Sequence, residues 1–535
     1  MMNQQVQSST VPVNVVGSSV FGRYSKISAE KTYNMFISDD WLVSFAGWKR
    51  VLDLFPNQDS VGRGIFRSIR NNIVVVVVNN VVFSITNSLF PRFIGTLSTS
   101  VGDVFMDENL NNQICIVDGL DAYIYNFTLG TLTKQNINKD VLIPNYVCYH
   151  NTFFLFGNGK TNGNGSAWYA YIYSTSTTIV EETQLALQTK PDYAIAVERL
   201  PGKGNNVIVF GTSVCEIWTQ VGGIQNYQRV TSMNIDYGCL SVSTIASSDE
   251  YVIWLGVNES NSPVITMCTG NKSISISTDG IDYVLGNLKY PEQSTAFFYR
   301  TDGHLFYQIT FYNPEDNLSL IYDVNTKKFF HISDSNLNYH PARRTVYFNN
   351  NVYFISLNNG SLYQTSTNFT TYNENLGATA LNDDPNINKE IPRIRICSSI
   401  RKQTSDPFLS RNLSLTLDQG NDPKFSELAL TSNLNFLVTE GDNPDFIVTE
   451  TGERILVEGI ENTELPYFPR IDLSMSLDGG VTFGSWLLTP LHALGNRKNV
   501  MSWSRQFGYA NDLTFKFRFW GTSYWAVSNA TLEVY

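Results

Sequence analysis

Between about residues 61 and 370 the apolar positions fall into short runs of four to seven residues, cut by Asn-, Asp- and Gly-bearing turns. Runs this short, rich in β-branched and aromatic residues and bounded by turn formers, read as strands rather than helices. They cluster in units. The first has Ile65–Ile69, Ile73–Val78 and Val81–Ile85, with Asn71-Asn72 and Asn79-Asn80 at its turns. The second has Val101–Met106, Ile114–Val117 and Tyr123–Tyr125; the third Tyr146–Tyr149, Phe153–Phe156 and Trp168–Tyr173; the fourth Tyr193–Val197, Val207–Phe210 and Val214–Trp218. Val242–Ala246, Tyr251–Leu255, Val264–Met267 and Ile274–Ser277 make a fifth; Ala296–Tyr299, His304–Ile309, Leu318–Tyr322 and Lys328–His331 a sixth. Thr345–Phe348, Val352–Ile355 and Ser361–Tyr363 close the series. A repeat of roughly 35 to 50 residues built from such strands is the spacing of β-propeller blades, whose radial packing protects most sheet edges. Six or seven blades fit between Gly62 and Thr370.

The pattern changes after Thr370. Residues 371–390 are polar and rich in Asn and Asp, the composition of a linker. A second β region follows over 391–535, with Ile391–Cys397, Leu413–Leu417 and Ile471–Leu477 as strands. Inside it, Phe436-Leu-Val-Thr-Glu-Gly, Phe446-Ile-Val-Thr-Glu-Thr-Gly and Ile455-Leu-Val-Glu-Gly form an imperfect repeat, read as an inserted β-arm at about 436–459. Ile471–Leu477 alternates apolar and polar residues into Asp478-Gly479-Gly480, and the chain leaves through Val481 and Phe483, which predicts a hairpin. Phe515, Phe517 and Phe519 alternate in the same way, so the aromatic cluster with Trp503, Phe507, Trp520, Tyr524 and Trp525 reads as core.

Composition narrows the function classes. At 535 residues the chain exceeds the size at which a single core keeps growing. Its 48 acidic and 37 basic residues give a formal charge of −11, unsuited to wrapping nucleic acid through phosphate contacts. The six cysteines form no CxxC pair and sit in apolar runs, as buried free thiols do. The five histidines show no HxxH or HExxH spacing, so no metal site is assigned. Residues 1–10 are polar and uncharged, unlike a signal peptide. The most apolar run, Ile73–Val78, is far shorter than the roughly 20 residues of a membrane helix, so no membrane insertion is expected. Sequons such as those at Asn126 and Asn271 follow from an Asn-rich composition.

Candidate chemistry is sparse. Ser476-x-Asp478-x-Gly480-x-Thr482-Phe483 fits the Asp-box pattern of sialidases and related propellers; Ser277-Thr-Asp279-Gly280 is a fragment of one. Asp boxes are turn motifs, and an enzyme of that kind needs an arginine cluster and a Tyr/Glu pair, which the sequence does not assemble around Arg393 and Arg395. Asp279 and Asp282 sit in turn-like sequence and read as solvated. Gly202-Lys203-Gly204 follows a proline and reads as a β-turn rather than a phosphate loop. There is no nucleophile elbow. No catalytic, cofactor-binding or metal residue is assigned, no cofactor is expected, and the chain is read as a non-enzyme. The basic stretch Arg497, Lys498, Arg505, Lys516 and Arg518 reads as cross-strand pairing on an exposed sheet face, with contact to DNA or an acidic neighbour the other reading.

The order of motifs carries a resemblance. Tyr33-Asn34-Met35-Phe36, Ser44-Phe45-Ala46-Gly47-Trp48, Gly62-Arg63-Gly64, Val207–Trp218 with its Gly211-Thr-Ser turn and Glu216-Ile-Trp ending, and the terminal Ser476–Phe483, Leu494-Gly495, Trp503, Arg505 and Phe515–Phe519 follow one another as in the tail hub or nozzle proteins of short-tailed phages. These are also called packaged-DNA stabilisation proteins. The resemblance is co-linear over almost the whole chain; Ala46 stands where proline is usual, and 436–459 has no counterpart. It implies an all-β virion protein: a six- or seven-bladed propeller (61–370), and a platform built from the N-terminal segment (1–60) and the C-terminal domain (391–535). It further implies a ring, usually hexameric, below the portal and its adaptor. Such a ring is assembled in the host cytoplasm, continues the DNA channel, retains packaged DNA, and anchors fibres, spikes or a needle. A carbohydrate-binding or glycan-cleaving tail propeller is the alternative.

Overall fold

The computed structural model describes residues 9–24, 28–56, 59–159, 165, 167–173, 179–202, 204–222, 226–270, 272–374, 388–402, 406–419, 470–491, 500–521 and 524–535. The expected β-arm at 436–459, most of the expected linker, and Lys203, Asn271, Leu494, Gly495, Arg497 and Lys498 lie outside them. The chain divides into two compact units, one of residues 17–37 and 45–392, the other of 1–16, 38–44 and 393–535.

The larger unit is a series of seven antiparallel groups. The first four are Gly62–Ser68, Ile73–Val78, Val81–Ile85 and Pro91–Thr96; Phe105–Glu108, Gln113–Val117, Ala122–Asn126 and Thr131–Lys134; Pro144–His150, Phe153–Asn158, Ala167–Tyr173 and Ile179–Ala186; and Ala194–Arg199, Asn206–Gly211, Cys215–Gln220 and Tyr227–Ile235. In the fifth, Gly238–Cys239 and Ala246–Ser247 share the edge of Val252–Val257, followed by Pro263–Thr269 and Lys272–Ser275. The expected strand at Val242–Ala246 is a 3₁₀ turn over Val242–Thr244 that splits this edge in two. The sixth is Ser294–Thr301, His304–Phe311, Leu318–Asp323 and Lys328–His331. Two-residue turns join several pairs: Asp302 and Gly303 at φ 48° and 81°, Asn349 and Asn350 at 48° and 61°. These are the left-handed conformations that Asn, Asp and Gly tolerate and that match strand twist.

The seventh group, Ala342–Phe348, Asn351–Ser356 and Ser361–Ser366, takes its fourth strand from the other end of the unit. Gly47–Asp53 pairs antiparallel with Ser361–Ser366, from Gly47 opposite Ser366 to Asp53 opposite Ser361. This strand was expected in the N-terminal platform segment 1–60; instead it is a sheet member here, and Lys31–Tyr33 likewise joins the sixth group beside Lys328–His331. The expected linker also begins and ends as strand: Thr371–Asn373 runs parallel to Gly47–Asp53 and pairs with Asn388–Glu390. Burial of Tyr372 against Trp48, ring centroids 3.5 Å apart, orders this polar sequence.

Core packing explains the uninterrupted valine run. Val74, Val76 and Val78 pack with Phe348, Ile355 and Leu362 of the seventh group, whereas Val75 and Val77 pack with Ile114, Ile116 and Tyr123 of the second. A strand buried on both faces needs no polar alternation. Val207 and Val209 face Leu155 and Trp168 of the third group, while Ile208 and Phe210 face Trp254 of the fifth.

In the smaller unit, one sheet runs in the order Trp41–Ser44, Trp525–Val534, Phe408–Gln419, Val500–Ala510, with Ser9–Val13 also on Trp525–Val534. A second set pairs Arg393–Ile396, Thr514–Trp520, Arg470–Ser476 and Leu487–Pro490 in that order. Phe515, Phe517 and Phe519 share one buried face, meeting Phe507 at 5.4 Å and Trp503 at 6.1 Å between centroids.

Candidate functional site: sequence landmarks and the axial cavity

The motifs that stand out in the sequence prove to be latches. Asn34, at φ 54°, donates through Nδ2 to Ser333 Oγ (2.9 Å) and the Pro392 carbonyl (3.0 Å), and accepts the Ser333 N–H at 2.9 Å. Gly47 lies against backbone: a Cβ there would sit 2.4 Å from the carbonyl oxygens of Phe369 and Thr371. Arg63 is fully buried and donates to the carbonyls of Asn79, Thr99, Val101 and Gly102. In the Val207–Trp218 landmark, Asp192 accepts the N–H groups of Thr212, Ser213 and Val214 together with both hydroxyls of the turn. Glu216 accepts the N–H groups of Gln188 and Thr189 and, at 3.0 Å, Trp218 Nε1. Each carboxylate ties down turn donors that would otherwise be buried without partners.

The Asp box is also a turn. Asp478 accepts the N–H groups of Val481 and Thr482 at 3.0 Å and the Thr482 hydroxyl at 2.6 Å, and Ser476 Oγ donates to it at 2.5 Å. These bonds, that from Ser476 foremost, hold its carboxyl well below the usual range. The expected hairpin forms, but its returning strand is Leu487–Pro490 rather than the residues from Val481, because the box folds 478–482 back on itself. Asp279 and Asp282 lie not in a turn but in the first turn of the helix Asp279–Gly286, where carboxylates favour the helix dipole. Arg393 and Arg395 are fully buried in their strand and donate to the Gly521 carbonyl and to the carbonyls of Asn14 and Val15. Arg518 sits opposite Asp472 and forms a two-bond ion pair with it at 2.7 and 3.0 Å, the cross-strand pairing expected but with Asp472 fully buried instead of on an exposed face; its guanidinium also lies 4.5 Å from the rings of Trp486 and Trp520. All six cysteines are buried thiols that form no disulfide.

One feature left no mark in the sequence reading. The first strand of each group contributes to a single cavity of about 230 Å³, lined by Ile65, Met106, Tyr146, Glu198, Ala246, Phe297 and Arg344 among others. Charged side chains gather on these otherwise apolar strands. Tyr146 Oη donates to Glu198 Oε2 at 2.7 Å, Arg199 contacts Asp107 at 3.3 Å, and Arg343 pairs with Asp103 at 2.9 Å. The Tyr/Glu pair and arginine cluster that the sequence did not assemble do meet here, but they are not poised for nucleophilic attack. Burial and the adjacent Glu198 push the Tyr146 phenol well above its usual value, so its proton stays on oxygen. Burial pushes the Asp107 carboxyl up to about 6 against the pull of Arg199. Burial also works to raise Asp103, yet Arg343 and Arg344 outweigh it and hold that carboxyl low.

Seven antiparallel groups, each packed between two neighbours around a common cavity, define a β-propeller; the family follows from comparison. Residues 30–370 match the family model described as Bacteriophage P22 Gp10, beta-propeller, and the chain belongs to that family of phage stabilisation proteins. It is a structural protein of the phage tail, of the kind that stabilises packaged DNA. No curated protein matches the chain. Solved structures similar to it include a streptogramin B lyase (12% identity, TM-score 0.39, 62% of this chain and 99% of that one). Virginiamycin B lyase from Staphylococcus aureus (12%, 0.40, 59% and 97%) and the WD40 propeller domain of Doa1 (9%, 0.37, 60% and 97%) are others.

Proposed function

We propose that this chain is the ring-forming hub or nozzle subunit of a short-tailed phage, a hexameric conduit that continues the DNA channel below the portal-adaptor. The observation that carries the reading is the family match over residues 30–370. The seven groups are read as seven blades. The unit of residues 1–16, 38–44 and 393–535 is read as the ring-making platform, and identical copies closing a ring require a heterologous interface. The partners are other copies of the chain, the portal-adaptor, and distal fibres, spikes or a needle, with assembly in the host cytoplasm. DNA passes through the lumen without sequence-specific binding, and the formal charge of −11 per copy supports a wall that repels rather than adheres. Latch-like use of the conspicuous carboxylates and arginines supports a structural rather than catalytic role.

Analytical ultracentrifugation and negative-stain imaging of the purified chain, alone and with purified tail adaptor, test this. Sixfold rings, formed alone or on the adaptor, are the expected result. A monomer that never joins the adaptor would remove the conduit reading.

A further inference from the structure

Among the described residues that line the axial cavity, one cation is left with unused donors. Arg344 donates only from Nη2, to the Ser243 carbonyl at 3.3 Å; its Nε is buried without a hydrogen-bond partner. Its guanidinium lies 4.7 Å above the Phe105 ring and lines the cavity. The cations on either side are already matched. Arg343 pairs with Asp103 and Arg199 with Asp107, while Glu198 accepts from Tyr146 Oη and from the Arg199 N–H at 3.0 Å. Arg344 as a whole is half-buried, but a donor buried as its Nε is costs stability unless something accepts from it.

We propose that the axial cavity is a binding site for a compact oxyanion, a carboxylate or phosphate group, gripped by the free donors of Arg344. A cavity of about 230 Å³ suits a small anion or one acidic group of a larger ligand. It falls below the roughly 300 Å³ at which drug-sized pockets begin. The charge tally sets the pH dependence. Arg199 and Arg344 line the cavity with Asp107 and Glu198, and the Arg343–Asp103 ion pair lies beside Arg344, so the charges balance while Asp107 is ionised and the site gains one positive charge when it is protonated. Asp107 is faced by Arg199 and Glu198, and by the thiols of Cys115 and Cys148 and the phenol of Tyr149, which burial keeps uncharged. Anion affinity therefore rises as pH falls through about 6.

Isothermal titration of the full-length protein at constant ionic strength tests the site, with sulfate as the tetrahedral probe and acetate as the planar one, at pH 5.5 and 7.5. One site per chain is expected, about tenfold tighter at the lower pH. Tighter binding of sulfate points to a phosphate-bearing ligand, and tighter binding of acetate to a carboxylate. Arg344→Gln should weaken binding at least about tenfold, the loss of one charge-assisted contact. Asp107→Asn should keep the low-pH affinity at pH 7.5. Failure of both anions to bind, or equal binding by Arg344→Gln, overturns the proposal. Should that variant not fold, an unchanged pH dependence in Asp107→Asn overturns it instead.

Discussion

Asp192 accepts from Tyr193 N at 2.7 Å, Thr212 N at 3.0 Å, Ser213 N at 2.7 Å, Ser213 Oγ at 2.9 Å and Val214 N at 3.1 Å. Burial acts to raise this carboxyl, but the bonds from Thr212 and Ser213 outweigh it and hold it below the usual range. Asp192→Ala would leave these donors without an acceptor and should cost about 3 kcal/mol in urea unfolding at pH 7, Asp192→Asn roughly half. A loss under about 0.5 kcal/mol would show that the turn holds itself. The buried histidines make stability depend on pH. Burial pushes His331 and His340 down to about 3, so each stays neutral in the fold and is protonated once unfolded. Stability from each is complete above pH 6.5 and is lost as pH falls towards 3; at pH 4.5 the loss is about 2–3 kcal/mol apiece. Asp107, raised to about 6, gains about 2 kcal/mol over the same range because the fold binds its proton first. These three groups together give a fall of about 3 kcal/mol between pH 7.5 and 4.5, in the same direction as His150, which burial also lowers. His340→Gln should remove nearly all of one histidine's share, measured by urea midpoints at the two pH values.

At the scale of elements, the seam between Gly47–Asp53 and Ser361–Ser366 is where the larger unit depends on a contact no local pattern predicts. Trp48 is buried there, stacked on Tyr372 and edge-on to His340 and Phe354. Trp48→Ala should cost about 3–5 kcal/mol, the range for truncating a buried aromatic, and limited proteolysis should then cut first beside this seam. Cleavage elsewhere first would mean that another group is the weaker closure. The same seam shows what sequence can and cannot carry. The second and third strands of each group were legible because they are short, apolar and bounded by Asn, Asp or Gly turns. Fourth strands such as Pro91–Thr96 and Thr131–Lys134 were not, since their residues are exposed or half-exposed and lack alternation. Gly47–Asp53 was placed in the wrong segment because its partner lies over 300 residues away; Gly47 and Thr365, which share a hydrogen bond, are 318 apart. The axial site was invisible for a related reason. Tyr146 and Glu198 are 52 residues apart and meet only because consecutive groups bring the same strand to one axis. Charged residues recurring on innermost strands, as at Asp107, Glu198, Arg199 and Arg344, were the available signal.

At the scale of the whole molecule, the chain threads its two units discontinuously, and this constrains how it can be divided. Ser9–Val13 comes before the larger unit's strands in sequence and Trp41–Ser44 lies between its Lys31–Tyr33 and Gly47–Asp53, yet both pair with the terminal strand Trp525–Val534: Val11 faces Leu532, and Leu42 faces Val527. Val13, Leu42 and Val43 are buried in the complete chain. A fragment ending at Pro392 keeps every propeller strand, including the closing strand Gly47–Asp53, but strips those two strands of their partner. Bare strand edges flanked by apolar side chains are sites of association. The 1–392 fragment should therefore aggregate on size-exclusion chromatography while the intact chain elutes as a defined species. Supplying residues 393–535 in trans should restore solubility, because the missing partner strand then returns. Should 1–392 elute as a monodisperse species as heat-stable as the full chain, the discontinuous unit would contribute nothing to folding. Its two early strands would then serve assembly alone, available for pairing with another copy.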